Sequence, residues 1–206
     1  MKVTKVYITE YAKELLNSNS VYKEAYKEVV TAISSTVWPI GSNVFAINNS
    51  VKNANGVVPL KEKCYIELED TYNWYREKPL NVLKIEKQKG GPIDVYKEFN
   101  SGERVGMEFE SGNIASAHRS MNKLLLGINR NELDLGIILM PVKGLAYYLT
   151  DRITNYEELE PYFEITEGKP FIFIGFDATI YDNNIPLIPK GKDGMSKRSI
   201  KKWMSE

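Results

Sequence analysis

Asp94 and the tripeptide Glu108-Phe109-Glu110 are the residues whose types and spacing best suit catalysis. They fall in two strand-like runs, Ile93 to Phe99 and Arg104 to Glu110, joined by Asn100-Ser101-Gly102, a hairpin turn signal. Alternation along a strand sends Glu108 and Glu110 to one face and Phe109 to the other, so Phe109 can anchor in a core while both carboxylates point outward. If Asp94 faces the same way on the neighbouring strand, three carboxylates converge. Such a cluster repels itself unless protons or a divalent cation neutralise it, and oxygen donors without histidine favour Mg²⁺ over zinc. Two other readings use the same residues. An edge strand commonly carries a solvated charged face, and a carboxylate pair in a deep aromatic-lined cleft hydrolyses glycosidic bonds without a metal.

The elements that must position these residues suggest a mixed α/β sheet flanked by helices, in a single domain. Thr9 can cap a helix running to Leu16, Ser20 a second to about Ile33, and Pro59 suits the first turn of a third running toward Tyr75. Residues 41–56 have a loop composition rich in Gly, Asn and Ser. From Asn113 the spacing of Ile114, Ala117, Met121, Leu124, Leu125 and Ile128 predicts a helix with one apolar face. Residues 135–141 and 171–176 read as buried strands, 143–150 as a short helix and 156–164 as an acidic one.

Composition narrows the function classes. The 206 residues carry 27 basic and 27 acidic side chains, for a formal net charge of zero. That balance would speak against a nucleic-acid binder if the charges were evenly spread. They are not, because residues 190–206 hold six basic and two acidic residues, leaving the rest of the chain net acidic. Cys64 and His118 are single representatives of their types, which excludes an intramolecular disulfide and argues against zinc. The N-terminal apolar run is broken by Lys2, Lys5 and Glu10, and residues 135–142 are too short to span a bilayer. A cytoplasmic protein without membrane contact is expected.

Pro92-Ile93-Asp94 followed by Glu108-Phe109-Glu110 resembles the PD-(D/E)xK motif, with Glu110 where most members have Lys. The blocks LEDTYNWYREKPL (68–80), KGGPIDVYKEF (89–99), RVGMEFE (104–110), GNIASAHRSMNKLLLG (112–127), LAYYLTDR (145–152), KPFIFIGF (169–176) and PLIPKGKDGMSKRSIKKW (186–203) extend it. In order and spacing they resemble the type II restriction endonucleases of this superfamily that carry the same Glu and cut GGATCC. The hairpin turn and the C-terminal end are shorter here, and the first fifty-five residues match more loosely.

The resemblance implies a single restriction endonuclease domain over residues 1–206, with residues 190–206 as a basic DNA-contacting arm within it. Asp94 would bridge metal ions, Glu77 and Glu108 would complete the metal shell with the Phe109 carbonyl, and Glu110 would orient or deprotonate the attacking water. Two Mg²⁺ ions per active site are implied, with Mn²⁺ able to substitute. A Glu in the Lys position leaves the site without that cation, so the metals carry more of the charge neutralisation.

For DNA reading, the resemblance points to Asn113, Ala115, Ser116, Arg119 and Lys123 on the helix beginning at Asn113, to Asp151 and Arg152, and to Gly194 and Met195 in the arm. Arg119 suits guanine O6 and N7, Asn113 an inner base pair, and Asp151 with Arg152 a G·C pair. Ala115 departs from the pattern, since the resembled enzymes have Ser there. His118 is expected to be structural. A homodimer matching the palindrome is implied, its interface drawn from the apolar stripe of the 113–128 helix with 143–150, as is a methyltransferase protecting the same site. The alternative is a catalytically silent DNA-binding relative.

Overall fold

The computed structural model describes residues 1–81 and 91–190. Residues 82–90 and the arm from 191 onward, including Gly194 and Met195, lie outside the described residues. Six strands form one mixed sheet: β1 (Lys2–Ile8), β3 (Tyr75–Lys78), β4 (Ile93–Glu98), β5 (Arg104–Phe109), β6 (Leu135–Pro141) and β7 (Phe171–Asp177). Their order is β1-β7-β6-β5-β4-β3. The pairs β5/β6 and β6/β7 are parallel, whereas β1/β7, β4/β5 and β3/β4 are antiparallel. The mixed sheet flanked by helices is as the sequence predicts.

Helix α1 (Glu10–Ser18) starts where Thr9 accepts a hydrogen bond from the Ala12 amide. Asn19, one residue before the expected Ser20, caps α2 (Ser20–Ser35) through the Val21 amide at 2.9 Å. Helix α3 (Val58–Tyr72) has Pro59 in its first turn and stops short of Tyr75, because Asn73 adopts a left-handed φ of 57° and the chain enters β3. The expected loop at 41–56 also contains a two-residue strand, β2 (Ala46–Ile47), parallel to β8 (Ile180–Tyr181).

Helix α4 (Ile114–Asn129) is capped by Asn113 and packs against β4, β5 and β6. Its apolar stripe is spent on the chain's own core: Ala117, Met121, Leu124 and Ile128 are all buried. Ile114 and Leu125 of the same stripe are half-buried. Helix α5 is a single turn, Lys143–Ala146, and α6 (Tyr156–Leu159) tightens into a 3₁₀ helix over Glu160–Thr166 at Pro161. That 3₁₀ segment brings Phe163 to stack on Phe173 of β7 at 3.8 Å between ring centroids.

Strand β5 has a hydrogen-bonded neighbour on each side, and its residues from Val105 to Phe109 are buried. The reading of the carboxylate hairpin as the solvated face of an edge strand therefore fails. Both Glu108 and Glu110 are buried, not outward, and a buried carboxylate needs partners.

Candidate active site

The paired register of β4 and β5 ends at Val95 and Met107. Beyond that point bonds involving side chains take over from the ladder. The Phe109 amide donates to Asp94 Oδ2 at 3.1 Å, and the Asp94 amide donates to Glu108 Oε1 at 3.4 Å. The parting strands border a cavity of about 660 Å³ whose walls include Glu77, Asp94, Glu108, Phe109 and Glu110. All four predicted acidic residues thus line one cleft, together with the backbone-donor candidate Phe109.

Three of these carboxylates, Asp94, Glu108 and Glu110, have definite partners. Asp94 Oδ2 also accepts from the Tyr65 hydroxyl at 2.7 Å and lies 3.6 Å from the Lys61 ammonium. Burial raises the Tyr65 phenol well above its ordinary range, with the Asp94 charge adding to the effect. Tyr65 therefore stays a proton donor to Asp94. Glu108 Oε2 accepts from Ser120 at 3.1 Å, and its Oε1 is 2.6 Å from the Lys123 ammonium. Glu110 Oε2 accepts from Ser116 at 3.2 Å. Ser116 and Ser120 are one turn apart on α4, so Glu108 and Glu110 share the face of the sheet that meets this helix. Phe109 points to the opposite face, where its ring meets Tyr65 edge-on and packs near Phe176. The alternation read from the sequence holds, but the shared face is covered by a helix.

Glu108 has its carboxyl pushed up to about 7, chiefly by burial and secondly by the Asp94 charge, while Lys123 and Ser120 oppose the rise. The folded protein holds this proton up to near neutrality, and a metal ligand must release it. Divalent-metal affinity is therefore expected to climb, by up to about tenfold per pH unit, as pH rises toward 7, and to level off above it. Calorimetric titration of the protein with Mn²⁺ from about pH 5 to about pH 9 checks this. A pH-independent affinity across that range would contradict it.

Among the described residues, no three acidic, cysteine or histidine side chains are already drawn together as a metal shell. The donor chemistry nonetheless fits a hard cation. Carboxylate oxygens of Asp94 and Glu108 front the cleft, and two lysine ammonium groups stand against them. The Lys123 ammonium is also bonded to the Pro92 carbonyl at 2.6 Å, so a positive charge already sits among oxygen donors. Lys61 and Lys123, from α3 and α4, thus bring two positive charges to a cleft that has Glu at position 110.

Glu77 lines the cavity from β3 and adopts a left-handed φ of 54°, a conformation costing roughly 1 kcal/mol or more for a residue with a side chain. Asn113 Oδ1 is committed to capping α4 through the Ser116 amide at 3.0 Å, while the residue itself remains exposed. Ala115 and Arg119 are exposed near the same helix end, and Arg119 lines the cavity. Asp151 and Arg152 are exposed in the loop after α5, where Arg152 has φ 60°. The Thr154 amide donates to the Gly112 carbonyl at 2.7 Å, tying that loop to the start of α4. His118 packs edge-on against Tyr162 at 4.3 Å between ring centroids.

Lys61, Tyr65 and Ser120 belong to the site and were not singled out from the sequence. Lys61 and Tyr65 are four residues apart on α3, so helical spacing places them on one face. No local signal tells which sheet edge that face meets.

The family model for restriction endonuclease BamHI matches residues 1–195 of the chain. The type II restriction enzyme BamHI of Bacillus amyloliquefaciens is 70% identical over 206 aligned positions, covering 98% of this chain and 97% of that protein. The type II restriction enzyme OkrAI of Oceanobacter kriegii is 34% identical over 191 positions, covering 89% and 96%. The fold is shared with restriction endonuclease BglII in its complex with a DNA 16-mer, at a TM-score of 0.62 and 14% identity, over 86% of this chain and 78% of that one. Free BglII gives 0.54 at the same identity, over 86% and 80%. Taken with a carboxylate cleft at the fork of two central strands, these matches place the chain in the BamHI family of restriction endonucleases.

Proposed function

We propose that this enzyme hydrolyses both strands of duplex DNA at GGATCC in an Mg²⁺-dependent reaction, cutting after the first G to leave 5′ overhangs that end in 5′-phosphates. The observation that carries the reading is that Glu77, Asp94, Glu108 and Glu110 line one cavity together with Arg119. Arg119 stands near the helix end that carries Asn113 and Ala115, so the cutting and reading groups adjoin.

Asp94 and Glu108, with the Phe109 carbonyl and Glu77, would hold the metal. When bound, Mg²⁺ supplies charge neutralisation at the scissile phosphate and acidifies water. Glu110, fixed by Ser116, accepts the proton of the attacking water as its oxygen bonds to phosphorus. The P–O3′ bond breaks, and the leaving 3′ oxygen takes a proton from solvent. Lys61, beside Asp94, adds positive charge to the cleft that would receive the scissile phosphate.

Arg119 is suited to a bidentate contact with guanine O6 and N7, Asn113 to an inner pair, and Asp151 with Arg152 to a G·C pair. The Asn113 amide nitrogen remains available for that contact while its oxygen caps the helix. Lys123 is held at Glu108, so phosphate contact would require it to leave that partner. The basic arm with Gly194 and Met195 would approach the minor groove. Two copies related by twofold symmetry would read the palindrome, each chain acting as one domain. A methyltransferase of the same specificity would protect host DNA in the cytoplasm. Among the described residues, no helix is long and apolar enough to cross a membrane.

Ala115 sets the test. It has no hydroxyl to offer the central pairs, so discrimination there rests on Asn113 and on water. Replacing the central A·T pairs of GGATCC is expected to slow cleavage by roughly tenfold to a few hundredfold, the value of one to two base contacts. Initial rates on matched duplexes at one salt concentration measure it. Absence of cleavage of GGATCC itself under any divalent metal would overturn the proposal.

A further inference from the structure

We propose that Lys123 is a built-in counter-cation of the active site, occupying a place beside Glu108 for which the divalent metal competes. The inference rests on the metal-dependent reading given above and adds a residue to it. The sequence alone puts Lys123 on a polar stripe with Ser116 and Arg119, as a residue facing DNA. The geometry puts its ammonium elsewhere. Its Nζ lies 2.6 Å from Glu108 Oε1 and 2.6 Å from the Pro92 carbonyl, with the side chain 12% exposed and that of Glu108 2% exposed.

Three features make this more than a surface ion pair. Glu108 is buried beside the Asp94 charge, so without a cation it must either keep its proton or carry an uncompensated negative charge in a low-dielectric pocket. Pro92 and Glu108 flank the point where β4 and β5 part, and the ammonium spans them at that point. The second Glu108 oxygen is held by Ser120. A cation ligated by Glu108 must therefore share Oε1 with an ammonium or displace it.

A dication within a few ångströms of an ammonium is repelled by it, and in a partly buried site that repulsion is weakly screened. Removing the Lys123 charge should consequently tighten metal binding. A residue that merely oriented Glu108 would have the opposite effect, since its loss would loosen a ligand.

The test is titration of the full-length protein, without DNA, with Mn²⁺ at about pH 9, above the range in which Glu108 holds its proton, followed by calorimetry for the wild type and Lys123→Gln. Gln keeps a donor for Glu108 and Pro92 while removing the charge. The expected result is affinity increased by about tenfold or more in Lys123→Gln. Lys123→Met, which keeps the aliphatic stem, is the second variant should the first fail to fold, and it is expected to shift in the same direction. Equal or weaker Mn²⁺ binding by a folded variant, with the wild type binding normally, would overturn the role of Lys123. Absence of Mn²⁺ binding by the wild type would instead overturn the metal site itself. In metal-free conditions Lys123→Gln is expected to bind a GGATCC duplex with an unchanged salt slope, because the ammonium is already committed to Glu108. A reduced slope would show Lys123 on the phosphates and contradict the assignment.

Discussion

Glu110→Ala is expected to lower GGATCC cleavage by about a thousandfold, the middle of the range for loss of a positioned general base. That corresponds to about 4 kcal/mol of transition-state stabilisation. Glu110 is buried, follows directly on β5, and has its carboxylate fixed by Ser116. The alanine removes the carboxylate that Ser116 holds in place. Because Glu110 is not assigned to the metal shell, Mn²⁺ affinity is expected to remain within about threefold of wild type, and specific duplex binding likewise. Single-turnover cleavage alongside gel-shift binding separates the two. Loss of binding together with cleavage would remove Glu110 from its assigned role. A wild-type protein that binds GGATCC but never cuts it would be a catalytically silent relative.

Asp94→Asn should have the second large effect, by a different route. All three neighbours of the Asp94 carboxylate (the Phe109 amide, the Tyr65 hydroxyl and the Lys61 ammonium) act on Oδ2. Asn preserves the shape and one acceptor oxygen while removing the charge. The strand fork should persist, but a hard cation loses a charged ligand and Lys61 loses its counter-charge. Cleavage is expected to fall by about a thousandfold and Mn²⁺ affinity by at least about tenfold. The pair of variants forms a contrast: Asp94→Asn lowers metal affinity and cleavage together, whereas Glu110→Ala lowers cleavage alone. Unchanged Mn²⁺ binding by Asp94→Asn would place the metal elsewhere.

Much of the scaffold was legible because it is written in local signals. Residues 135–141 form a strand buried on both faces, and its unbroken apolar run says so. Thr9, Pro59 and Asn113 mark helix starts by their chemistry, and each lies at or within a residue of one. The hairpin carrying Asp94 and Glu108 was visible for the same reason. The strand β1 was not. Its sequence KVTKVYI is an edge strand with half-exposed apolar positions, and its pairing with β7 depends on residues some 170 positions away. Nothing within the first ten residues encodes that partner. Strand β3 was not read because it is only four residues long and directly follows the left-handed turn at Asn73 that ends α3.

The acidic residues of the site were legible, and the groups that tune them were not. Carboxylates at strand spacing announce themselves, but whether their face meets solvent or a helix is decided by packing. The expectation of outward carboxylates failed there, since α4 lies over Glu108 and Glu110 and supplies Ser116, Ser120 and Lys123 to them. Lys61 and Tyr65 reach Asp94 from α3, which is separated in sequence by an intervening strand. Lys123 shows the limit clearly. A helical stripe fixes which residues share a face, and only the seating of the helix on the fork decides whether that face touches DNA or Glu108.

The most direct measurement is digestion of a plasmid carrying a single GGATCC by the purified protein with Mg²⁺, followed by sequencing of the ends. The account predicts one linear product, cut after the first G on both strands, with 5′-phosphates and no product when the metal is chelated. Cleavage at other sequences, a different cut position, or cutting that persists without a divalent metal would contradict it.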